Sequence, residues 1–333
     1  MLVATAVTAA AVAAGYAFAA TRTAQIGTGI VVIDTNLAYQ GAQAAGTGMV
    51  LTSSGEILTN NHVIRGATTI KVVIPGTGRS YSAKVVGYDV TADVAVLQAT
   101  GAAHLRTVTR GTSTGLKAGQ AVKAIGNAGG SGSLVSSTGT ITALSRTIVV
   151  NDDAGGTSTL RNLIETNAEL EPGDSGGPLL DAAGKVIGMD SAASVGGGGY
   201  REIASTDGYA IPINRALAIA KLIAAGKGSA TVHVGGTAFL GISSVSAGDA
   251  PGYEYAQPGA VVASVVPGSP ADKAGLAAGD LIVAVGGKAV TSPTSLQSIV
   301  LGRKPGTQIK VTYIDTSGTT ETAAATLVSG PAQ

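Results

Sequence analysis

The stretch Glu171-Pro172-Gly173-Asp174-Ser175-Gly176-Gly177-Pro178-Leu179 decides how the rest of the chain is read. Gly173, Gly176 and Gly177 permit positive φ or a close approach of another backbone segment. Pro172 fixes φ where the loop begins. A serine held in so tight a turn can have the backbone N–H groups of Gly173 and Ser175 pointing into one pocket. Such a pocket is an oxyanion hole, in which one donor is worth roughly 3–4 kcal/mol of barrier. In a chain this rich in glycine, the same residues could also form an ordinary surface turn.

The complete nine-residue string resembles the nucleophile loop of chymotrypsin-like serine proteases, whose histidine, aspartate and serine occur in that chain order. The resemblance implies partners upstream of Ser175. His62 and His104 precede it and His233 follows it. His62 closes the strand-like run Ile57-Leu58-Thr59-Asn60-Asn61 and is followed by Val63-Ile64, a string similar to the histidine segment of HtrA-type proteases. His104 follows Gly101-Ala102-Ala103, and both it and His233 are expected at the surface. For the acid, Asp89 and Asp93 compete. Asp93 stands at the mouth of the apolar run Val94-Ala95-Val96-Leu97, where it can be buried and still orient an imidazole. Its string resembles the family's catalytic aspartate, which leaves Asp89 as the solvated alternative.

The 333 residues suggest two or three domains. Only 12% are charged, and 49 are glycine. Average chains have about 25% charged residues and about 7% glycine. An aliphatic, turn-rich chain with few aromatics suits sheets of Val, Ile and Thr. A net charge of +1 without a basic stripe argues against nucleic acid as a partner. With no cysteine there is neither a disulfide framework nor a thiolate metal site, and no metal or cofactor is expected. Leu2 to Ala20 carries no charge and approaches the roughly 20 residues that cross a bilayer as a helix. The competing reading is a signal peptide cleaved at Ala17-Phe18-Ala19. Both readings export the chain from Arg22 onward, leaving it tethered to the cell membrane or secreted.

From Ile26 onward, β-branched runs alternate with glycine-rich turns, the spacing of an all-β sandwich or barrel. Six runs between Ile30 and Leu97 predict one barrel, and six between Gln120 and Ile213 predict a second. The triad then falls in the cleft between them. Asp152-Asp153-Ala154-Gly155-Gly156 and Gly196 to Gly199 read as loops flanking the second barrel. Asn214 to Gly226 predicts a helix capped by Asn214 and stopped by Gly226. It carries Leu217, Ala220 and Ile223 toward the second barrel. Gly226-Lys227-Gly228-Ser229 opens a linker.

Further strings resemble the HtrA family in its order: Gly46-Thr47-Gly48-Met49-Val50, Ala124-Ile125-Gly126-Asn127, Gly139-Thr140-Ile141-Thr142-Ala143-Leu144 and Tyr209-Ala210-Ile211-Pro212-Ile213. Two departures stand out. Asp174 occupies a position where most HtrA relatives carry Asn. In digestive-type proteases an aspartate there pairs with a newly freed amino terminus, but no Ile-Val-Gly-Gly-like start lies near Ile26. Glu169-Leu170-Glu171 is also more charged than is usual in the family.

Beyond Thr237 the chain resembles a bacterial PDZ domain. Phe239-Leu240-Gly241-Ile242 precedes a strand. Ser269-Pro270 and Ser292-Pro293 have the pattern of capped helix starts. Such a module holds a peptide carboxylate on the N–H groups of that loop and adds the peptide as a strand.

The expected fold is therefore mainly β: a chymotrypsin-like double β-barrel followed by an α+β PDZ domain, with an N-terminal apolar helix. The expected divisions are an anchor or signal at 1–24, a protease domain at 25–225, a linker at 226–237 and a PDZ domain at 238–333. The resemblance implies a serine endopeptidase acting on unfolded or misfolded envelope proteins, possible homotrimers, and recognition of peptide C-termini. His62, Asp93 and Ser175 are the expected catalytic residues. Gly173, Asp174 and Ser175 are expected to form the oxyanion hole. Glu169, Leu170, Asp190 and Ser191 are expected at the substrate pocket, with Glu169 at its floor. There a carboxylate would favour basic P1 residues, whereas the family favours small aliphatic ones. The rival readings are a non-catalytic holdase and a PDZ scaffold.

Overall fold

In the computed structural model, residues 27–151, 157–191, 208–249 and 257–332 are described. The apolar Leu2–Ala20 stretch and the loops read at 152–156 and 196–199 lie outside them. Among the described residues, no helix is long and apolar enough to cross a membrane. The chain forms two compact units that meet in sequence at Val234 and Gly235.

β-branched runs build both barrels of the first unit. Its first six strands are β1 (Ile30–Leu37), β2 (Ala42–Val50), β3 (Glu56–Thr59), β4 (Thr69–Ile74), β5 (Arg79–Asp89) and β6 (Val94–Ala99). They pair antiparallel in the order β5-β4-β1-β2-β3-β6, and β6 returns to β5 to close the ring. The next six are β7 (Ala121–Gly126), β8 (Val135–Asn151), β9 (Thr157–Thr166), β10 (Pro178–Leu180), β11 (Val186–Ser191) and β12 (Gly208–Pro212). They form a second closed antiparallel barrel. A one-turn helix, α1 (Asn61–Ile64), follows β3. Inward residues of both barrels, including Met49, Leu58, Val96, Ile125, Met189 and Ile211, share one buried core.

The helix α2 (Ile213–Ala224) begins one residue before the expected cap. Asn214 lies inside its first turn and does not cap it. Its side chain clamps the loop at 112–114, accepting from Ser113 N–H and donating to the hydroxyls of Thr112 and Thr114. The far end closes as a Schellman turn, with Gly226 N–H on Ile223 O and Lys227 N–H on Leu222 O. Ala216, Ile219, Ala220 and Ile223 form its buried stripe. The helix packs on β5 and β6 as well as β11 and β12, so it braces both barrels, where the sequence suggested one.

The expected linker at 226–237 contains a strand, β13 (Val232–Val234), which pairs with Gly87–Asp89 of β5. Val232 is buried, and His233 stacks on Tyr88 with ring centroids 4.9 Å apart. Asp89, expected to be solvated, is buried beneath this strand. It accepts hydrogen bonds from Thr91 Oγ1, Ala92 N–H and Thr231 Oγ1. His104 is exposed, as expected.

The second unit is a small sheet with two helices. β14 (Thr237–Phe239) pairs with β21 (Val328–Gly330). The main sheet runs β15 (Ile242–Ser246), β16 (Ala260–Val265), β17 (Leu281–Val285), β19 (Gln308–Ile314) and β20 (Thr320–Thr326), with β18 (Lys288–Ala289) beside β17. Ser269 caps α3 (Pro270–Lys273), and Ser292 with Ser295 forms a capping box on α4 (Pro293–Leu301). Among the described residues, β15 is an edge strand, paired only with β16 and lying close to α4.

Candidate active site

α1 carries His62 out of the core. Its neighbours Val63 and Ile64 are buried in the first barrel, while about two-fifths of the His62 side chain is exposed. Asp93 immediately precedes β6, the strand paired with β3. Its φ of +55° is a left-handed conformation that a non-glycine residue adopts only under constraint. The constraint is visible: Asn60 Nδ2 donates to Asp93 O at 2.9 Å, and His62 N–H donates to Asp93 Oδ1 at 3.0 Å. Asp93 Oδ2 lies 2.8 Å from His62 Nδ1 and accepts from Ser191 Oγ at 3.2 Å. A carboxylate can only accept, so Nδ1 carries the imidazole proton and Nε2 keeps its lone pair.

Ser175 approaches from the second barrel. A Cβ placed on Gly46 of β2 would lie 2.6 Å from Val63 Cγ1 and 3.3 Å from Ser175 O. The same backbone stretch therefore abuts both the histidine turn and the serine loop. Gly176, at φ +86°, passes so close that a Cβ would lie 2.1 Å from Thr47 O. No larger residue fits there without displacing backbone.

Four successive carbonyls of the loop each have a donor. Pro172 O accepts from Gly129 N–H at 2.8 Å, Gly173 O from Thr47 Oγ1 at 2.7 Å, Asp174 O from Gly177 N–H at 2.9 Å and Ser175 O from Thr47 N–H at 2.8 Å. In a trans peptide the N–H points opposite to the C=O. Anchoring Pro172 O thus turns Gly173 N–H away from Gly129, and among the described residues it has no acceptor. Asp174 differs from expectation. Its N–H is spent on Glu171 O at 3.0 Å, and its Oδ2 accepts from Glu171 N–H at 2.9 Å. It supplies no free donor to an oxyanion pocket, and its carboxylate folds back under the loop.

The four expected pocket residues separate. Ser191 belongs to the Asp93 network. Leu170 packs over Gly208 and against the core of the second barrel. Glu169 is exposed, because the barrel takes in its neighbours Ala168 and Leu170 and turns position 169 outward. That geometry corrects the pocket-floor reading of Glu169. Asp190 is completely buried, and neither of its carboxylate oxygens has a hydrogen-bond partner among the described residues. Burial, and then the charge of Asp174, hold its pKa well above the ordinary carboxylate range. Burial also raises Asp174, against the lowering effect of the Glu171 N–H bond.

In the second unit the same peptide logic applies at the expected ligand loop. Leu240 is buried, and its carbonyl accepts from Ala271 N–H. Gly241, at φ +91°, accepts from Val266 N–H and Ser269 Oγ. Anchoring Leu240 O turns Gly241 N–H the other way, and it has no acceptor among the described residues. Phe239 is half-buried at the end of β14, and Ile242 starts the edge strand β15.

Sequence reasoning missed Thr47, Asn127 and Gly129 as parts of the serine loop, and Ser191 as a partner of Asp93. Thr47 and Asn127 lie in strings singled out for their order, but the hydrogen bonds that tie them to each other and to the serine loop join residues 80–128 positions apart.

Comparison with known proteins agrees with this geometry. Residues 46–189 match the family model of the trypsin-like peptidase domain, and residues 238–326 match that of the PDZ domain. The serine protease PepD of Mycobacterium tuberculosis is 32% identical over 310 residues, covering 90% of this chain and 63% of PepD. The periplasmic pH-dependent serine endoprotease DegQ of Escherichia coli is 35% identical over 274 residues, covering 81% of this chain and 56% of DegQ. The chain thus spans roughly 60% of the length of these curated relatives. A solved structure of the HtrA-type protease AlgW with a decapeptide aligns at a TM-score of 0.51 with 27% identity, covering 94% of this chain and 98% of that one.

The buried Asp190 generates a pH prediction. Its pKa in the fold lies above the ordinary 3.8. The folded protein therefore keeps this proton at pH values where the unfolded chain has released it. Stability falls as pH rises from about 4 through the folded pKa. Asp190→Asn removes that loss. In thermal unfolding, the melting temperature of the variant should exceed the parent's by more at about pH 8 than at about pH 4. An equal difference at both pH values would contradict the assignment.

Proposed function

The chain belongs to the HtrA family of trypsin-like serine proteases with a PDZ domain, and from that premise we propose that it is a serine endopeptidase. Ser175 Oγ attacks the scissile carbonyl, and His62 Nε2 takes its proton and later gives it to the leaving amine. Asp93 holds the imidazole in the required tautomer and stabilises the imidazolium. The N–H groups of Gly173 and Ser175 receive the oxyanion. The observation that carries the reading is the His62–Asp93 contact together with a serine loop whose carbonyls from Pro172 to Ser175 are tied down. A holdase would have no use for that tautomer control.

The substrates are unfolded polypeptides, cut after small aliphatic residues. The outward turn of Glu169 supports that preference, because it removes the carboxylate that would have favoured Lys or Arg. The apolar Leu2–Ala20 stretch exports the enzyme, as an anchor or as a cleaved signal, and the assembly is a trimer. Membrane fractionation and light scattering read these two points directly: a full-length chain found in the cytosol, or a monomer, would remove them. On a denatured protein substrate, mass spectrometry of the products should place the cuts after residues such as Val and Ala. Ser175→Ala should lower kcat by at least about 10⁴-fold with the fold intact, and His62→Ala by a similar factor. Wild-type turnover in Ser175→Ala would contradict the nucleophile.

The second unit binds peptide C-termini. Its ligand extends the free edge of β15 beside α4, and its carboxylate meets the loop Phe239-Leu240-Gly241-Ile242. Titrating the inactive full-length Ser175→Ala protein with a peptide and its C-terminal amide separates this from plain strand addition. The amide should bind about tenfold more weakly or worse, because a charge-assisted hydrogen bond is lost. Equal affinities would remove the carboxylate from the reading.

A further inference from the structure

Thr47 lies in β2 of the first barrel and is wholly buried. All of its polar atoms are engaged, and its N–H and hydroxyl both reach the serine loop of the second barrel. Its N–H donates to Ser175 O at 2.8 Å. Its carbonyl accepts from Thr59 Oγ1 at 2.7 Å. Its hydroxyl donates to Gly173 O at 2.7 Å and accepts from Asn127 N–H at 2.9 Å. A hydroxyl can do both at once, and here it donates to the serine loop and accepts from the start of the turn 127–130.

The two hydroxyl bonds have one consequence. The first fixes the peptide between Gly173 and Asp174. The second fixes the start of the turn 127–130, in which Gly130 N–H bonds back to Asn127 O at 2.8 Å and Gly129 N–H holds Pro172 O. Pro172 O is the group whose anchoring turns Gly173 N–H away from Gly129. The orientation of that N–H therefore depends on the Thr47 hydroxyl twice: directly through the next peptide, and indirectly through the turn. A buried loop that lost both bonds would leave Gly173 O and Asn127 N–H unsatisfied. A buried polar group without a partner is costly, and turning the peptide is a way to recover the loss.

We propose that Thr47 is a positioning residue for the oxyanion loop: its hydroxyl holds Gly173 N–H in the orientation that receives the oxyanion. Thr47 touches neither the substrate nor the reacting atoms. The proposal rests on the reading of Ser175 as nucleophile.

The test compares Thr47→Val, which keeps the shape and removes the hydroxyl, with Thr47→Ser, which keeps the hydroxyl and removes the methyl. Both are assayed as full-length protein on a peptide substrate below their melting temperatures. Losing a whole oxyanion donor costs about 10²–10³ in kcat. Thr47→Val should therefore lose about 10- to 100-fold in kcat with KM within about twofold. It should bind a peptide boronate more weakly by the same factor as kcat. Thr47→Ser should stay within about threefold of the parent. If Thr47→Val does not fold, Thr47→Ala removes the same hydroxyl and takes its place. A folded hydroxyl-less variant with parental kcat and boronate affinity would overturn the proposal, even if its melting temperature had dropped. So would a folded Thr47→Ser enzyme slowed more than about tenfold. Ser175→Ala in the same assay separates the two readings. Activity surviving there would sink the nucleophile, whereas its loss together with normal Thr47→Val turnover would sink only the positioning role.

Discussion

The orientation of the serine loop depends on the hydrogen bonds that hold its carbonyls. Pro172, Gly173, Asp174 and Ser175 each present a carbonyl to a fixed donor, and two of the four donors belong to Thr47 in the other barrel. Planar trans peptides then leave the N–H directions no freedom. The arrangement makes the active centre a property of the whole first unit. Neither barrel alone contains the loop and its anchors, and the core they share with the helix Ile213–Ala224 holds the two in register. The same constraint explains the glycines. At Gly176 the backbone of the other barrel passes within a Cβ radius, so the motif records how closely the barrels approach.

The acid of the site is built from both sides as well. Asp93 receives His62 from its own barrel and Ser191 from the other. Its left-handed backbone is held by Asn60 and by the His62 N–H. These bonds place the strain at the residue whose carboxylate must face the imidazole. Asp174 and Asp190, by contrast, are buried carboxyl groups with no cation paired to them among the described residues. Asp174 satisfies one oxygen on Glu171 N–H, and Asp190 satisfies neither. Burial favours the neutral acid in both. No pairing with an amino terminus is needed to explain Asp174, since its carboxylate is turned to its own loop.

Much of this was legible in the sequence. The two six-stranded barrels followed from alternating β-branched runs and glycine turns. The PDZ helices followed from Ser269-Pro270 and Ser292-Pro293, whose caps are local interactions. His62, Asp93 and Ser175 were singled out by chain order and by strings that resemble those of HtrA-type proteases, and the structure brings His62 and Asp93 together. What failed was non-local or depended on which way a side chain turns. Asp89 looked solvated because its partner Thr231 lies 142 residues away. The stretch after Gly226 looked like a linker because Val232–Val234 is too short to signal a strand without β5 beside it. Glu169 was assigned to a pocket by counting from Ser175. Counting cannot tell that Ala168 and Leu170 claim the interior. Thr47 appeared as one letter between two glycines, and only the folded cleft gives its hydroxyl two partners.

The loop, on this view, activates one particular serine. A fluorophosphonate tests that most directly, because it reacts well only with a serine that has both a general base and an oxyanion site. After brief exposure of the full-length protein and proteolytic mapping by mass spectrometry, a single adduct is expected on Ser175, absent in His62→Ala. An unmodified Ser175, or labelling spread over other serines at the same rate, would contradict the account.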